Sequence, residues 1–217
     1  MSKKKYAPRF PRAGNGFRAQ DIRVVPRGAW WVKRWLQAID GMRLGARAGR
    51  GKVYAEQGQV TSLCVNGTRV EASVLGVRPD PYVVKIDFAP AVSADGYESS
   101  AAFCERLGAM SIGRILAGEM PTLVDELFSL KGLSPYPTLG VDQFWCSCPD
   151  WSKPCKHIAA VLYLLGDVLV REPMLLLRLR GITLTQDGGV DDMALPLWSG
   201  KEKFADFLER IYRRTGI

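Results

Sequence analysis

The spacing of apolar residues changes several times along the 217-residue chain, and each change marks an element. Between Gly28 and Arg43 the residues Trp31, Trp35, Ile39 and Met42 recur at 4-4-3 spacing, which predicts an amphipathic helix. Lys33, Arg34 and Gln37 fall on its other sides. From Gly58 to Phe88 the period becomes two. Val70, Ala72 and Val74 alternate with Arg69, Glu71 and Ser73, and Tyr82, Val84, Ile86 and Phe88 form another such face. Val60 to Val65 runs into Asn66-Gly67, a type I′ hairpin pair, and Arg78 to Pro81 supplies a second turn. The prediction is a three-stranded antiparallel meander.

Helical periodicity then returns. A helix from about Glu98 to Leu116 carries Phe103, Leu107, Met110 and Ile115. Pro121 suits the first turn of a second helix with Leu123, Leu127 and Leu130. Ile158, Val161, Leu162, Leu165, Val168 and Leu169 trace a helical stripe in which only Asp167 is charged, so this helix is expected to be buried. Pro173 opens a short helix that Gly181 can end, and Cys64 and Cys104 read as small core residues. Ser199 and Glu202 form a capping-box pattern ahead of an apolar stripe, Phe204, Phe207, Leu208, Ile211 and Tyr212. That stripe can close the protein's own core or dock a partner. Two stretches lack periodicity: the opening through Gly16, rich in Lys, Pro and Gly, and the Gly- and Arg-rich run Gly41 to Lys52, which reads as a flexible basic loop. The class is α+β.

Charge adds polarity to this plan. The net charge is +8, yet residues 1–52 hold fourteen Lys or Arg against Asp21 and Asp40, a net of +12, and the remainder is net −4. Clustered cations of this kind suit phosphate. A solubilising tail, or an arm docking on an acidic partner, fits the charge as well. Trp30, Trp31 and Trp35 can stack on bases, although tryptophans at helical spacing are more often core anchors. No apolar run reaches the ~18 residues of a membrane span, no secretory signal opens the chain, and five cysteines make no disulfide scaffold. A cytoplasmic location is expected.

The chemistry concentrates in Trp145-Cys146-Ser147-Cys148-Pro149-Asp150-Trp151-Ser152-Lys153-Pro154-Cys155-Lys156-His157. Three of the five cysteines and the one histidine fall there. Thiolate and imidazole are the ligands tetrahedral zinc prefers. Cys-x-Cys sets two thiols on one side of an extended segment, and the Pro- and Asp-containing turn brings Cys155 and His157 back at a helix start, whose N-terminus helps hold a thiolate. A Cys146–Cys148 disulfide would be strained, and a Cys155–His157 nucleophile pair leaves two thiols unexplained. Four ligands close the site, so the zinc is expected to be structural, one ion per chain. Lys153 and Lys156 can balance the anionic cluster or reach phosphate.

Cys146-x-Cys148-x6-Cys155-x-His157, followed directly by the buried helix, resembles the SWIM zinc finger. The words Cys-Pro-Asp-Trp, Pro-Cys-Lys-His-Ile-Ala-Ala-Val and Leu179-Arg180-Gly181 are similar to bacterial members in particular. The resemblance implies a ββα module with metal on Cys146, Cys148, Cys155 and His157, a link to DNA and protein contacts, and company with Swi/Snf-type ATPases or helicases. Charge, periodicity and the cysteine cluster together divide the chain into a basic arm (1–20), an α+β region (21–140), the finger (141–170) and a helical C-terminal region (171–217).

The expected function is therefore a non-enzymatic zinc protein that binds nucleic acid, DNA above all, as an accessory to such an ATPase. Lys3, Lys4, Lys5, Arg9, Arg12, Arg18, Arg47, Arg50 and Lys52, with Lys153 and Lys156 of the finger, are the expected phosphate contacts. The alternative is a protein-interaction scaffold in which zinc is only a staple. No Walker sequence, nucleophile elbow or catalytic metal pattern points to an enzyme with a small-molecule substrate.

Overall fold

The computed structural model describes residues 14–20, 25–151, 153–184 and 195–196. Lys3, Lys4, Lys5, Arg9 and Arg12 lie outside them, as does the C-terminal stripe from Phe204 to Tyr212.

Helix α1 (Trp30–Gly41) follows its predicted stripe, burying Trp31, Trp35 and Ile39. Three indole N–H groups find carbonyl acceptors: Trp30 on Met120, Trp31 on Leu169 and Trp35 on Leu162. The tryptophans here are core anchors.

Residues 46–56 correct the sequence reading. The expected loop is helix α2 (Ala46–Glu56), which carries Arg47, Arg50 and Lys52. Its own sequence, with Gly49, Gly51 and no capping side chain, gives it little intrinsic helicity. Tertiary packing overrides that weakness, because Gly51, Tyr54 and Ala55 are buried.

The meander forms as predicted: β1 (Val60–Asn66), β2 (Arg69–Val74) and β3 (Tyr82–Asp87), with Val65 opposite Val70 and Val70 opposite Ile86. Alternation buries Leu63 and Val65 but turns Cys64 outward, so Cys64 is exposed and not a core residue. Cys104 is half-buried.

The expected helix 98–116 is two helices, α3 (Ser100–Leu107) and α4 (Ala109–Leu116). Gly108 separates them with φ 77°, a left-handed conformation that ends one helix and redirects the next. The break turns Met110 to solvent. Helix α5 (Leu123–Leu130) buries Val124, Leu127 and Phe128 and leaves Leu130 exposed.

Strand β4 (Gln143–Cys146) then adds to β3 at the sheet edge. Helix α6 (Lys156–Arg171) and the short α7 (Met174–Arg178) follow, and β5 (Leu195–Pro196) pairs with β1. The antiparallel order is β4-β3-β2-β1-β5.

Helix α6 lies at the centre, buried on nearly every side, which its almost uncharged sequence allows. Asp167, buried within it, accepts from the Gln20 amide (2.7 Å) and the Arg171 guanidinium (2.8 Å). Residues 14–20, expected in the free arm, are instead docked: the Gly16 and Phe17 amides donate to Gly58 and Val60, and Ala19 is buried. No helix among the described residues is long and apolar enough to cross a membrane.

Candidate metal centre

The β3–β4 ladder sets the first pair of ligands. Val84 lies opposite Cys146 in register, and beyond it Ser147 closes a two-way link with Val83. The Ser147 amide donates to the Val83 carbonyl (3.0 Å), and the Val83 amide donates to Ser147 Oγ (2.9 Å). Cys146 is thereby turned inward and Cys148 lies two residues on. The second pair sits where α6 begins. Cys155 is the N-cap residue in an extended conformation, and His157 is in the first turn.

The four ligand atoms lie within 4.8 Å of one another. His157 Nδ1 is 3.8 Å from Cys146 Sγ and 3.9 Å from Cys155 Sγ. Zinc bonds of about 2.3 Å to sulfur and 2.0–2.1 Å to nitrogen give a tetrahedral S–N edge of roughly 3.6 Å. The cluster fits one small tetrahedral ion with only minor closure. Cys146, Cys155 and His157 are buried and Cys148 is half-buried, the protected setting of a closed site.

The electrostatics favour thiolate where α6 starts. The Cys155 thiol is lowered to about 3, first by the hydrogen bond from Cys146, with further help from the His157 ring and the Ile158 backbone amide. Cys146 is pushed up by the same hydrogen bond and by burial, and Cys148 chiefly by burial. Three thiols this close share protons until a cation replaces them.

The imidazole is held by groups that sequence patterning did not pick out as site residues. Tyr82 stacks on His157 with ring centroids 4.5 Å apart, and Tyr54 packs obliquely at 5.6 Å. Gly76 makes that stack possible, since a Cβ there would sit 2.5 Å from the Tyr82 ring. With Nδ1 facing the sulfurs and Nε2 buried away from them, Nδ1 is the ring nitrogen placed to hold a metal. Tyr82 was legible as an inward strand residue. Tyr54 was hidden because its helix was not expected.

Residues 134–166 match the family model of the SWIM zinc finger. This chain carries a SWIM zinc finger. It is similar to the uncharacterized protein Rv2102 of Mycobacterium tuberculosis, 37% identical over 182 residues that cover 80% of this chain. The chain spans 63% of that relative's length. No solved structure matches it.

The cations expected at the site divide into groups. Helix α2 packs on the start of α6 so closely that a Cβ on Gly51 would meet the Ala159 Cβ at 2.5 Å and the Lys156 carbonyl at 3.1 Å. Arg47 pairs with Asp150 of the SWIM finger (3.6 Å), and Lys156 Nζ lies 5.8 Å from the Tyr54 ring centre. Arg47 and Lys156 thus flank the contact between α2 and α6, and Arg50 is near enough to Tyr54 to act on it electrostatically. Lys52 falls on another side of α2, and exposed Lys153 is three residues before Lys156. Arg18 is elsewhere, its guanidinium donating to the Gly14 carbonyl.

Proposed function

We propose that this chain is a non-enzymatic adaptor in the cytoplasm. One structural Zn²⁺ on Cys146, Cys148, Cys155 and His157 holds a basic face that binds DNA, in the service of a Swi/Snf-type ATPase. The observation that carries the nucleic-acid reading is the seating of α2 on the first turn of α6, which brings Arg47, Arg50 and Lys156 to one region of the finger. Clustered cations on a packed base suit phosphate oxygens without regard to sequence. The ATPase partner rests on the family resemblance alone.

Titrating the zinc-loaded chain with duplex DNA across a salt series tests this. Affinity should fall linearly on a log–log plot. In Arg50→Glu the slope should lessen by about 0.9 for each phosphate that is no longer neutralised. Salt-independent binding, or none, refutes the DNA reading.

One observation favours the scaffold reading. On α4, Met110 and Leu116 are 85% and 67% exposed, with Gly113 between them at helical spacing, an apolar stripe that nothing among the described residues covers. If Met110→Lys abolishes ATPase co-purification while DNA affinity stays intact, α4 is the protein-docking face.

A further inference from the structure

The described tryptophans differ widely in exposure, with Trp145 on β4 intermediate at 45%. Trp31 and Trp35 are buried, Trp30 is half-buried, and all three donate their indole N–H to a carbonyl. Trp151 is 91% exposed, the most exposed large apolar side chain among the described residues. It sits between two of the cluster residues, Cys148 and Cys155. Asp150, immediately before it, is paired with Arg47 of α2, and Pro154, shortly after it, is buried. Core packing does not explain an indole this exposed beside a paired Asp150.

Its surroundings specify a ligand that is anionic and flat at once. Lys153 is exposed two residues away, and Arg47 reaches the preceding residue. A nucleic-acid strand combines a phosphate backbone with aromatic faces, and stacking on an exposed indole is indifferent to sequence. A duplex has its base faces already stacked on one another, whereas a single strand offers them free.

We infer that Trp151 is a stacking platform for single-stranded nucleic acid, with exposed Lys153 contacting a flanking phosphate. This rests on the nucleic-acid reading above and narrows it to the form of strand the SWIM finger takes.

The test uses the full zinc-loaded chain, a short oligothymidylate, and a hairpin duplex of matched charge. Tryptophan fluorescence and affinity are read together. The oligothymidylate should quench the exposed fraction of the emission, and Trp151→Ala should remove that quenching and weaken binding about tenfold. Trp151→Phe, which keeps a π face, should retain most of the affinity. Zinc content and thermal midpoint should be unchanged in both variants, because the wild-type indole packs on almost nothing. Duplex binding without quenching by the single strand, or equal affinity of Trp151→Ala for the single strand, overturns this inference and leaves the DNA reading standing. Failure of both probes to bind overturns the two together.

Discussion

Arg180 grips Asp142 through two hydrogen bonds, Nη1 to Oδ1 at 2.6 Å and Nη2 to Oδ2 at 3.1 Å, with both side chains almost fully buried. The guanidinium also donates to the Tyr136 and Ala89 carbonyls, and the carboxylate accepts the Ala89 and Thr138 amides. Asp142 immediately precedes β4, so a residue beyond the last finger helix fixes the approach to the first metal ligand. Removing one member of a buried pair strands the other's charge. Arg180→Met should cost about 3–5 kcal/mol in urea unfolding. The double variant Arg180→Met/Asp142→Asn should recover part of that loss, since no charge is left stranded, although the amide oxygen can accept from only one of the Ala89 and Thr138 amides, which now bond to separate carboxylate oxygens.

Gly51 and Gly49 give opposite expectations for one substitution. Alanine normally stabilises a helix interior over glycine by about 1 kcal/mol. At Gly49 nothing lies within 4 Å of an added Cβ, so Gly49→Ala should raise stability by about that amount. At Gly51 the Cβ would press into Ala159 and the Lys156 carbonyl, and Gly51→Ala should destabilise by about 1–3 kcal/mol. Thermal denaturation of the two variants side by side checks the sign.

Metal removal should reach beyond the SWIM finger. The ligands start α6, and α6 carries the core contacts of α1 and α2. Structural zinc in finger peptides is worth an apparent ~10–16 kcal/mol at neutral pH, comparable to the whole stability of a typical domain. Cys155→Ser, His157→Ala or a strong chelator should therefore lower the far-ultraviolet helical signal as well as the metal content. Elemental analysis should find one zinc per chain.

Two N-terminal truncations should behave differently. Deleting residues 1–13 removes Lys3, Lys4, Lys5, Arg9 and Arg12 and none of the described packing, so the thermal midpoint should hold while the salt slope of DNA binding flattens. Deleting residues 1–20 also removes the amides of Gly16, Phe17 and Gln20 from Gly58, Val60 and Asp167, and the midpoint should fall.

What the sequence made legible follows from periodicity and ligand chemistry. The Trp31–Met42 stripe, the alternation through Ile86 and the Cys-x-Cys, Cys-x-His spacing each carry a local signal, and the structure follows all three. Helix α2 has no such signal. Its reason for being helical is the fit of Gly51 against Ala159, far along the chain, which also hid Tyr54. The partner of β4 was equally invisible, because β3 and β4 are joined through three intervening helices. Length and charge could not separate α3 from α4, where one glycine conformation decides.

The spacing of the ligands has a consequence for the newborn chain. All four fall between residues 146 and 157, so a ribosome exposes a complete donor set within a few amino acids of synthesis. Arg180 is translated only after that set is complete. A chain that stalls, or is clipped, between His157 and Arg180 would keep its four donors yet lack the guanidinium that steadies Asp142. Metal content is consequently a poor certificate of a finished fold, and a protease cutting near Asp142 would distinguish an incomplete molecule from a mature one where a zinc assay would not.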